Sequence, residues 1–268
     1  MADARPIGMF DSGFGGLTVA RAVIDLLPDE ELVYVGDTGR YPYGPRDLDE
    51  VRGFARQIGR YLVDEHDVKL LVVACNTASA AALAELHDEL PVAVIDVIEP
   101  GVRALVAATR TGRVGVIGTV GTIASGAYQR EVDATRAGVE LTCAACPGFV
   151  EFVERGDTAS DQVHVLAERL LAPVRDAKVD TLLFGCTHYP YLARTISDVM
   201  GREVVLVSSA DETAFEVRRM LAGTALEALK RGSPLHRFFS SGDTASFSTL
   251  GGRLLGPELA HAEPVRWG

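Results

Sequence analysis

The chain has 268 residues, of which 47% are hydrophobic and 24% are charged, and its formal net charge is −11. This length fits one large domain or two small ones, and the composition is that of an ordinary globular protein. No apolar stretch reaches the roughly 18 residues of a membrane span, and the N-terminal MADARPIGMF lacks the apolar segment of a signal peptide. No basic run offsets the negative charge. We therefore expect a cytoplasmic protein that binds neither membranes nor nucleic acid directly.

Short runs rich in Val, Ile and Leu alternate with longer amphipathic stretches, a pattern typical of βαβ units and a mostly parallel sheet. The predicted strands are, in chain order, 7–10, 32–35, 70–73, 92–95, 114–117, 140–144, 181–184 and 204–207. Two stretches between them place apolar residues on one helical face, which indicates core: Val51, Phe54, Ala55, Ile58 and Leu62, and later Val163, Leu166, Leu170 and Leu171, after a possible cap at Ser160.

The two halves of the chain match each other in order. The matching segments are 7–17 with 114–124, the strands at 32 and 140, the segments around Cys75 and Cys186, and 93–96 with 205–208. Four strands that recur in the same order indicate a duplication. We therefore predict an α/β fold of two pseudo-symmetric, doubly wound lobes with mostly parallel sheets. Residues 1–98 and 210–268 form the first predicted lobe, and residues 99–209 form the second.

The C-terminal part of the chain is predicted to return to the first lobe. Residues 210–229 have a helical pattern, and Ser209 and Glu212 stand at the spacing of a capping box. The tail from Gly232 onward, which contains Gly, Ser and Pro, then completes the first lobe.

Ligands of open parallel sheets bind beyond the carboxyl ends of the strands. Four such ends carry reactive or anion-binding residues: Asp11-Ser12-Gly13, Cys75-Asn76-Thr77, Gly118-Thr119 and Cys186-Thr187-His188. Two facing lobes would bring these loops to one cleft, with Cys75 on one wall and Cys186 on the other. One cysteine at a strand end is more often a buried apolar residue, but two at equivalent ends favour a functional pair. Helix N-termini after them would hold a carboxylate and lower the pKa of a thiol.

Other patterns carry less weight. In DSGFGG, Thr18 stands where a dinucleotide-binding fingerprint needs its third glycine. Cys143 and Cys146 have the C-x-x-C spacing, but no second pair completes a metal site, and in a reducing compartment we expect thiols. The three lysines lie outside phosphate-binding loops, which argues against a pyridoxal phosphate enzyme.

The motifs FDSGFGGLTVAR, YVGDTGRYPYG, ACNTASA, CPGFVEFVERG, GCTHYPYL and FFSSGDTASF resemble the cofactor-independent aspartate/glutamate racemase family, and within it the glutamate racemases. The resemblance extends from residue 7 to about residue 256. It implies an active site in the cleft between two α/β lobes, without cofactor or metal. It further implies interconversion of L- and D-glutamate, which supplies D-glutamate for peptidoglycan and so serves cell-wall biogenesis and cell shape. A homodimer and an interaction with DNA gyrase are expected by family analogy only.

Residue roles follow from the same resemblance. Cys75 and Cys186 would be the two acid/base residues, Asp11 would assist Cys75, His188 would assist Cys186, and Glu154 would lie near the second thiol. The implied substrate contacts are Asp11, Ser12, Tyr43, Gly44, Asn76, Thr77, Thr119, Thr187 and His188. Gly148 and Glu151 depart from the commoner Leu and Pro, and Cys143 has no assigned role. We expect the stretch 39–45 to help close the cleft, with the two sulfurs roughly 7 Å apart around the substrate carbon.

Three alternatives stay open at this point. A sister racemase acting on aspartate or another small amino acid is the nearest. A hydrolase or transferase would use a single cysteine as nucleophile with His188 as base, and would tolerate the loss of Cys75. The third alternative is an interaction protein without catalytic activity.

Overall fold

The computed structural model describes residues 3–228 and 234–267. Its strands are β1 (Ile7–Asp11), β2 (Leu32–Gly36), β3 (Leu70–Val73), β4 (Ala93–Asp96), β5 (Arg113–Gly118), β6 (Glu140–Ala145), β7 (Thr181–Gly185), β8 (Val205–Ser208), β9 (Arg237–Ser240) and β10 (Glu263–Pro264). Its helices are α1 (Leu17–Leu26), α2 (Leu48–His66), α3 (Asn76–Glu89), α4 (Ile98–Ala108), α5 (Val120–Ala124), α6 (Ala127–Thr135), α7 (Phe149–Glu154), α8 (Asp161–Leu170), α9 (Ala172–Asp176), α10 (Ala193–Met200), α11 (Ser209–Leu221) and α12 (Thr244–Leu255), with a 3₁₀ turn at Tyr189–Leu192.

These strands form two separate parallel sheets. The first has the order β10-β9-β2-β1-β3-β4, and the second has the order β6-β5-β7-β8. β1 pairs with both β2 and β3, and β5 pairs with both β6 and β7. The order β2-β1-β3-β4 in the first sheet therefore matches the whole order of the second. The predicted α/β fold with two lobes, and the internal repeat behind it, are confirmed.

Helices cover both faces of each sheet, which explains why the strands are continuous apolar runs. In the first sheet, α1, α11 and α12 bury one face and α2 and α3 bury the other. In the second sheet, α7 to α10 lie on one face and α4 and α6 on the other. The predicted apolar stripes of α2 and α8 belong to these cores. The cap predicted at Ser160 is also present, because the Ser160 hydroxyl accepts a hydrogen bond from the N–H of Val163.

The eight predicted strands are all present, with small differences at their ends. β4, for example, starts at Ala93, one residue later than predicted, and ends at Asp96. Two further strands, β9 and β10, extend the first sheet beyond β2, although the tail was predicted only to complete that lobe. The predicted start of the tail, Gly232, lies outside the described residues.

The helix predicted at 210–229 is shorter than expected. α11 ends at Leu221, and Gly223 follows with a φ of +72°, a left-handed conformation that glycine adopts without strain. The residue that caps α11 is Ser208, whose hydroxyl accepts from the N–H of Ala210, so the proposed capping by Ser209 is wrong. The predicted end at Leu229 lies outside the described residues.

Where one lobe ends and the other begins stays a prediction, with residues 1–98 and 210–268 assigned to the first lobe and 99–209 to the second. α4 and α11 pack against each other at this junction. Between residues 3 and 228 and between 234 and 267, no helix combines the length and the apolar character needed to cross a membrane.

Candidate active site

The carboxyl ends of strands from both sheets open onto one cavity between the lobes. Both candidate cysteines and every substrate contact implied by the resemblance line it, together with residues of the loops that follow β2, β5 and β6. The lining residues are Asp11, Ser12, Tyr41, Pro42, Tyr43, Gly44, Pro45, Cys75, Asn76, Thr77, Thr119, Val120, Cys146, Pro147, Gly148, Val150, Glu151, Cys186, Thr187 and His188.

Cys75 lies at the end of β3 and directly precedes the first residue of α3, where it is 4% exposed. Burial raises the pKa of the Cys75 thiol well above its usual range, and the negative charge of Asp11 raises it further. Backbone N–H groups of Ser12 and Ala78 bond to the sulfur and act in the opposite direction, but burial outweighs them. The helix N-terminus therefore lowers this pKa, as expected, but by less than burial raises it, and Cys75 is held as a neutral thiol.

Cys186 has a different environment, although it follows the equivalent strand β7. Its sulfur lies 3.8 Å from Nδ1 of His188, and Nε2 of the same ring lies 3.0 Å from Oε1 of Glu154. Burial opposes a charge on His188, but its hydrogen bonds to Cys186 and Glu154 outweigh burial and raise the pKa of His188 to about 10. The ring is therefore an imidazolium near neutral pH, placed to stabilise negative charge on the Cys186 sulfur.

Glu154, on α7, bonds to His188 and does not line the cavity itself.

Asp11 joins the two lobes at the bottom of the cavity. It is fully buried at the end of β1, where Oδ2 accepts from the N–H of Gly13 at 2.9 Å. Its other oxygen accepts from the hydroxyl of Thr187 in the second lobe at 3.4 Å. Asp11 thus contacts the residue after Cys186, and its negative charge acts on the Cys75 thiol.

The glycines after Asp11 allow this close approach of the lobes. A Cβ at Gly15 would lie 2.4 Å from both Nδ1 of His188 and Oγ1 of Thr187. Because real Cβ atoms do not approach other heavy atoms so closely, a side chain here would displace the imidazole. The glycine-rich loop therefore forms part of the contact between lobes.

A neutral polar wall faces the cavity at the start of α3. Asn76 donates from Nδ2 to the hydroxyl of Tyr128 at 2.7 Å, and in the described part of the chain its buried Oδ1 has no hydrogen-bond partner. The hydroxyls of Thr77, Thr119 and Thr122 lie within 2.9 to 3.1 Å of one another. Among the described residues that line the cavity there is neither Lys nor Arg. The donors that face an anionic ligand are therefore hydroxyl, amide and backbone N–H groups, together with the His188 imidazolium.

The two tyrosines of the 39–45 stretch differ in how their hydroxyls are used. The hydroxyl of Tyr43 donates to buried Asp37. The hydroxyl of Tyr41 is shielded from solvent and has no partner among the described residues. Burial, and next the charge of Glu154, raise the pKa of Tyr41.

Sequence reasoning named Cys146 and Glu151 without placing them at the site, whereas it missed Tyr41 and Asp37 individually. Asp37 could have been found, because it closely follows a predicted strand, as Asp11 does. Among the side chains between residues 3 and 267 that are described, no group of three His, Cys, Asp or Glu residues is arranged to hold a metal ion.

Comparisons with known proteins agree with this geometry. A family model described as Asp/Glu/Hydantoin racemase matches residues 17–215. A glutamate racemase from Acidothermus cellulolyticus is 52% identical over 257 residues, which cover 96% of this chain and 97% of that protein. The crystal structure of a glutamate racemase isoform from Bacillus anthracis superposes with a TM-score of 0.90 at 41% identity, covering 98% of this chain and 97% of that one.

A second solved structure is similar along the same length. The glutamate racemase of Francisella tularensis in complex with D-glutamate has a TM-score of 0.91 and 32% identity, and the match covers 98% of both chains. The resemblance found in the sequence motifs is confirmed: the chain belongs to the Asp/Glu/hydantoin racemase family and groups with its glutamate racemases.

Proposed function

We propose that this protein interconverts L- and D-glutamate by moving the Cα proton between two cysteines. One observation carries the proposal: Cys75 and Cys186 follow equivalent strands of the two sheets, β3 and β7, and line the same cavity. A thiol on each side of the substrate carbon lets one sulfur take the proton while the other returns one to the opposite face. A single base would have to cross the substrate to do both.

Without substrate, the two thiols have different electrostatic surroundings. The His188 imidazolium lies 3.8 Å from the Cys186 sulfur, whereas burial and the charge of Asp11 raise the pKa of Cys75 and keep it protonated. When Cys186 removes the proton of one enantiomer, Cys75 is ready to donate to the other face. For the reverse reaction the proton must first redistribute, so the two directions pass through different protonation states.

The carbanion formed by proton loss needs electrostatic stabilisation, which the neutral wall supplies. Asn76 and Thr77 lie at the N-terminus of α3, where backbone N–H groups and the helix dipole favour a carboxylate. Both side chains are buried, so their donors act in a site shielded from water. Because the described lining residues include neither Lys nor Arg, these fixed dipoles hold the negative charge together with the His188 imidazolium.

Optical rotation tests the activity. Purified protein is incubated with L-glutamate without added cofactor, and in parallel with L-aspartate. We expect the rotation of L-glutamate to decay to zero and that of L-aspartate to change much more slowly. Turnover of aspartate alone would move the protein to the sister activity, and no change with either substrate would contradict a racemase.

The cellular setting follows from the same proposal. We infer a cytoplasmic homodimer that supplies D-glutamate for peptidoglycan, and so takes part in cell-wall biogenesis and cell shape. Support comes from the family to which the chain belongs. Sedimentation velocity across a range of concentrations tests the dimer, and complementation of a D-glutamate auxotroph tests the supply role. An interaction with DNA gyrase rests on family analogy alone, and a pull-down with purified gyrase would test it.

A further inference from the structure

Asp37, just after β2, is a buried carboxylate to which the proposed mechanism gives no part. It is fully buried and accepts hydrogen bonds from side chains of distant segments. These donors are Nε of Arg40 at 2.6 Å, the hydroxyl of Tyr43, the hydroxyl of Ser241 at 2.5 Å and Nε1 of Trp267 at 3.0 Å. The cluster links the loop after β2, the loop after β9 and the C-terminal tail.

Arg40 supplies the countercharge that a buried carboxylate needs. Besides its contact with Asp37, it donates to Gln57 of α2 at 2.7 Å. Its guanidinium also lies over the rings of Phe54 and Trp267, at 4.2 and 4.6 Å from their centroids. Asp37 and Arg40 therefore form a fixed pair that packs between α2 and the C-terminal tail.

Tyr43 connects this cluster to the cavity. The residue lines the cavity and is 1% exposed, and its hydroxyl donates to Asp37. Tyr43 therefore meets a ligand with its ring and backbone rather than with its phenol. The next residue, Gly44, accepts through its carbonyl from the N–H of Gly121 in the second lobe at 2.9 Å. The wall formed by Tyr43 and Gly44 is thus held from one side by Asp37 and from the other by α5.

Close packing leaves this wall little freedom to adjust. A Cβ at Gly44 would lie 2.8 Å from Cβ of Thr119, which also lines the cavity. The loop that carries Tyr43 is therefore packed directly against the second lobe at Gly44.

We propose that Asp37 is a positioning residue for the substrate, which holds Tyr43 against the cavity and couples the C-terminal Trp267 to ligand binding. The proposal rests on the function proposed above, since it concerns binding of glutamate at that site. Asp37 touches no substrate and acts through Tyr43.

Kinetics of Asp37→Asn and Tyr43→Phe test the proposal. Asp37→Asn removes the negative charge of this contact, and Tyr43→Phe removes the hydroxyl. Both substitutions keep the shape of the side chain. We expect KM to rise roughly tenfold for both L- and D-glutamate, as for a lost hydrogen bond to a charged group, with kcat within about twofold of wild type. A merely structural role would lower the active fraction, and so the apparent kcat, and leave KM unchanged.

Glu30→Gln is the matched control. Glu30 is another buried carboxylate of the first lobe, paired with Lys69 at 2.5 Å and absent from the cavity lining. We expect this variant to lower the melting temperature while KM stays at the wild-type value. Wild-type KM values in Asp37→Asn and Tyr43→Phe, with only a lower melting temperature, would overturn the proposal.

Tryptophan fluorescence gives a readout that does not depend on turnover. Trp267 is the only tryptophan in the sequence, so intrinsic fluorescence reports on its contact with Asp37. We expect D-glutamate to change the emission of wild type, and Tyr43→Phe to reduce that change. An unchanged emission at saturating D-glutamate would contradict the coupling of Trp267. If wild type binds glutamate with this signal and does not racemise it, the proposed function fails and the positioning role stands.

Discussion

Glu154→Gln isolates the charge that supports the imidazolium beside Cys186. The substitution keeps the size of the side chain and an oxygen that faces Nε2 of His188, 3.0 Å away in the wild type. It removes the negative charge, which together with Cys186 raises the pKa of His188 to about 10. The variant therefore tests whether racemisation depends on a protonated His188.

The size of the effect follows from the burial of the pair. His188 is almost fully buried, and Glu154 is 18% exposed, so solvent screens their contact only slightly. A hydrogen bond to a charged group contributes about 1.5–3 kcal/mol, and one pKa unit corresponds to about 1.4 kcal/mol. Loss of the Glu154 charge should lower the pKa of His188 by about 1–2 units.

The direction in which pH changes the stability follows from the raised pKa of His188. The pKa of His188 is raised on folding, so the stability gained from its charge is complete below the ordinary value of about 6.5. That stability is lost as pH rises towards 10. Activity should likewise decline at alkaline pH as His188 loses its proton.

The assay is the pH profile of kcat/KM, measured for both enantiomers. We expect the alkaline limb to move to lower pH by about 1–2 units in Glu154→Gln, with a small effect near pH 7. The exposed pair His164 and Glu168, 3.8 Å apart, gives the control variant Glu168→Gln, which should leave the profile unchanged. An alkaline limb at the same pH in wild type and Glu154→Gln would refute the role of the imidazolium.

Three further predictions concern the thiols and the glycines. Iodoacetamide should modify Cys186 before Cys75, because the His188 imidazolium lies 3.8 Å from the Cys186 sulfur, whereas burial raises the pKa of the Cys75 thiol. Peptide mass spectrometry measures the order, and faster modification of Cys75 would contradict it. Gly15→Ala should reduce kcat/KM by more than about tenfold, because the added Cβ would lie 2.4 Å from Nδ1 of His188 and from Oγ1 of Thr187. A wild-type kcat/KM would contradict the close approach of the lobes. Gly53 lies on the exposed side of α2, and no neighbouring side chain among the described residues lies within 4 Å of a Cβ added there. Because alanine is more stable than glycine inside a helix, Gly53→Ala should raise the free energy of unfolding by about 0.5–1 kcal/mol, measured with urea. A loss of stability would contradict that reasoning.

The strands and the two site cysteines could be predicted because their signals are local. An apolar run followed by small polar residues marks the carboxyl end of a buried parallel strand, and the repeat of that pattern pairs Cys75 with Cys186. The loops that follow such strands meet at one edge of a sheet whatever the details of packing. The roles of His188 and Glu154 came from family resemblance, because a contact between a loop residue and a helix distant in sequence leaves no periodic signal.

Features that depend on tertiary packing could not be predicted. The pKa of Cys75 rises because the folded chain buries its sulfur, which outweighs the helix N-terminus that the sequence makes visible. The contact of Asp37 with Trp267 joins opposite ends of the chain, and neither residue stands in a recognisable pattern for it. α11 ends at Leu221 although the apolar pattern continues, because the chain turns at Gly223.

Isotope incorporation in D₂O tests the two-cysteine mechanism most directly. Protein is incubated with protiated L-glutamate, and NMR follows the Cα position of both enantiomers before equilibrium. The mechanism predicts that newly formed D-glutamate carries deuterium, that the remaining L-glutamate keeps its protium, and that Cys75→Ser and Cys186→Ser each abolish racemisation. D-glutamate that retains the original protium, or either serine variant racemising at the wild-type rate, would contradict it.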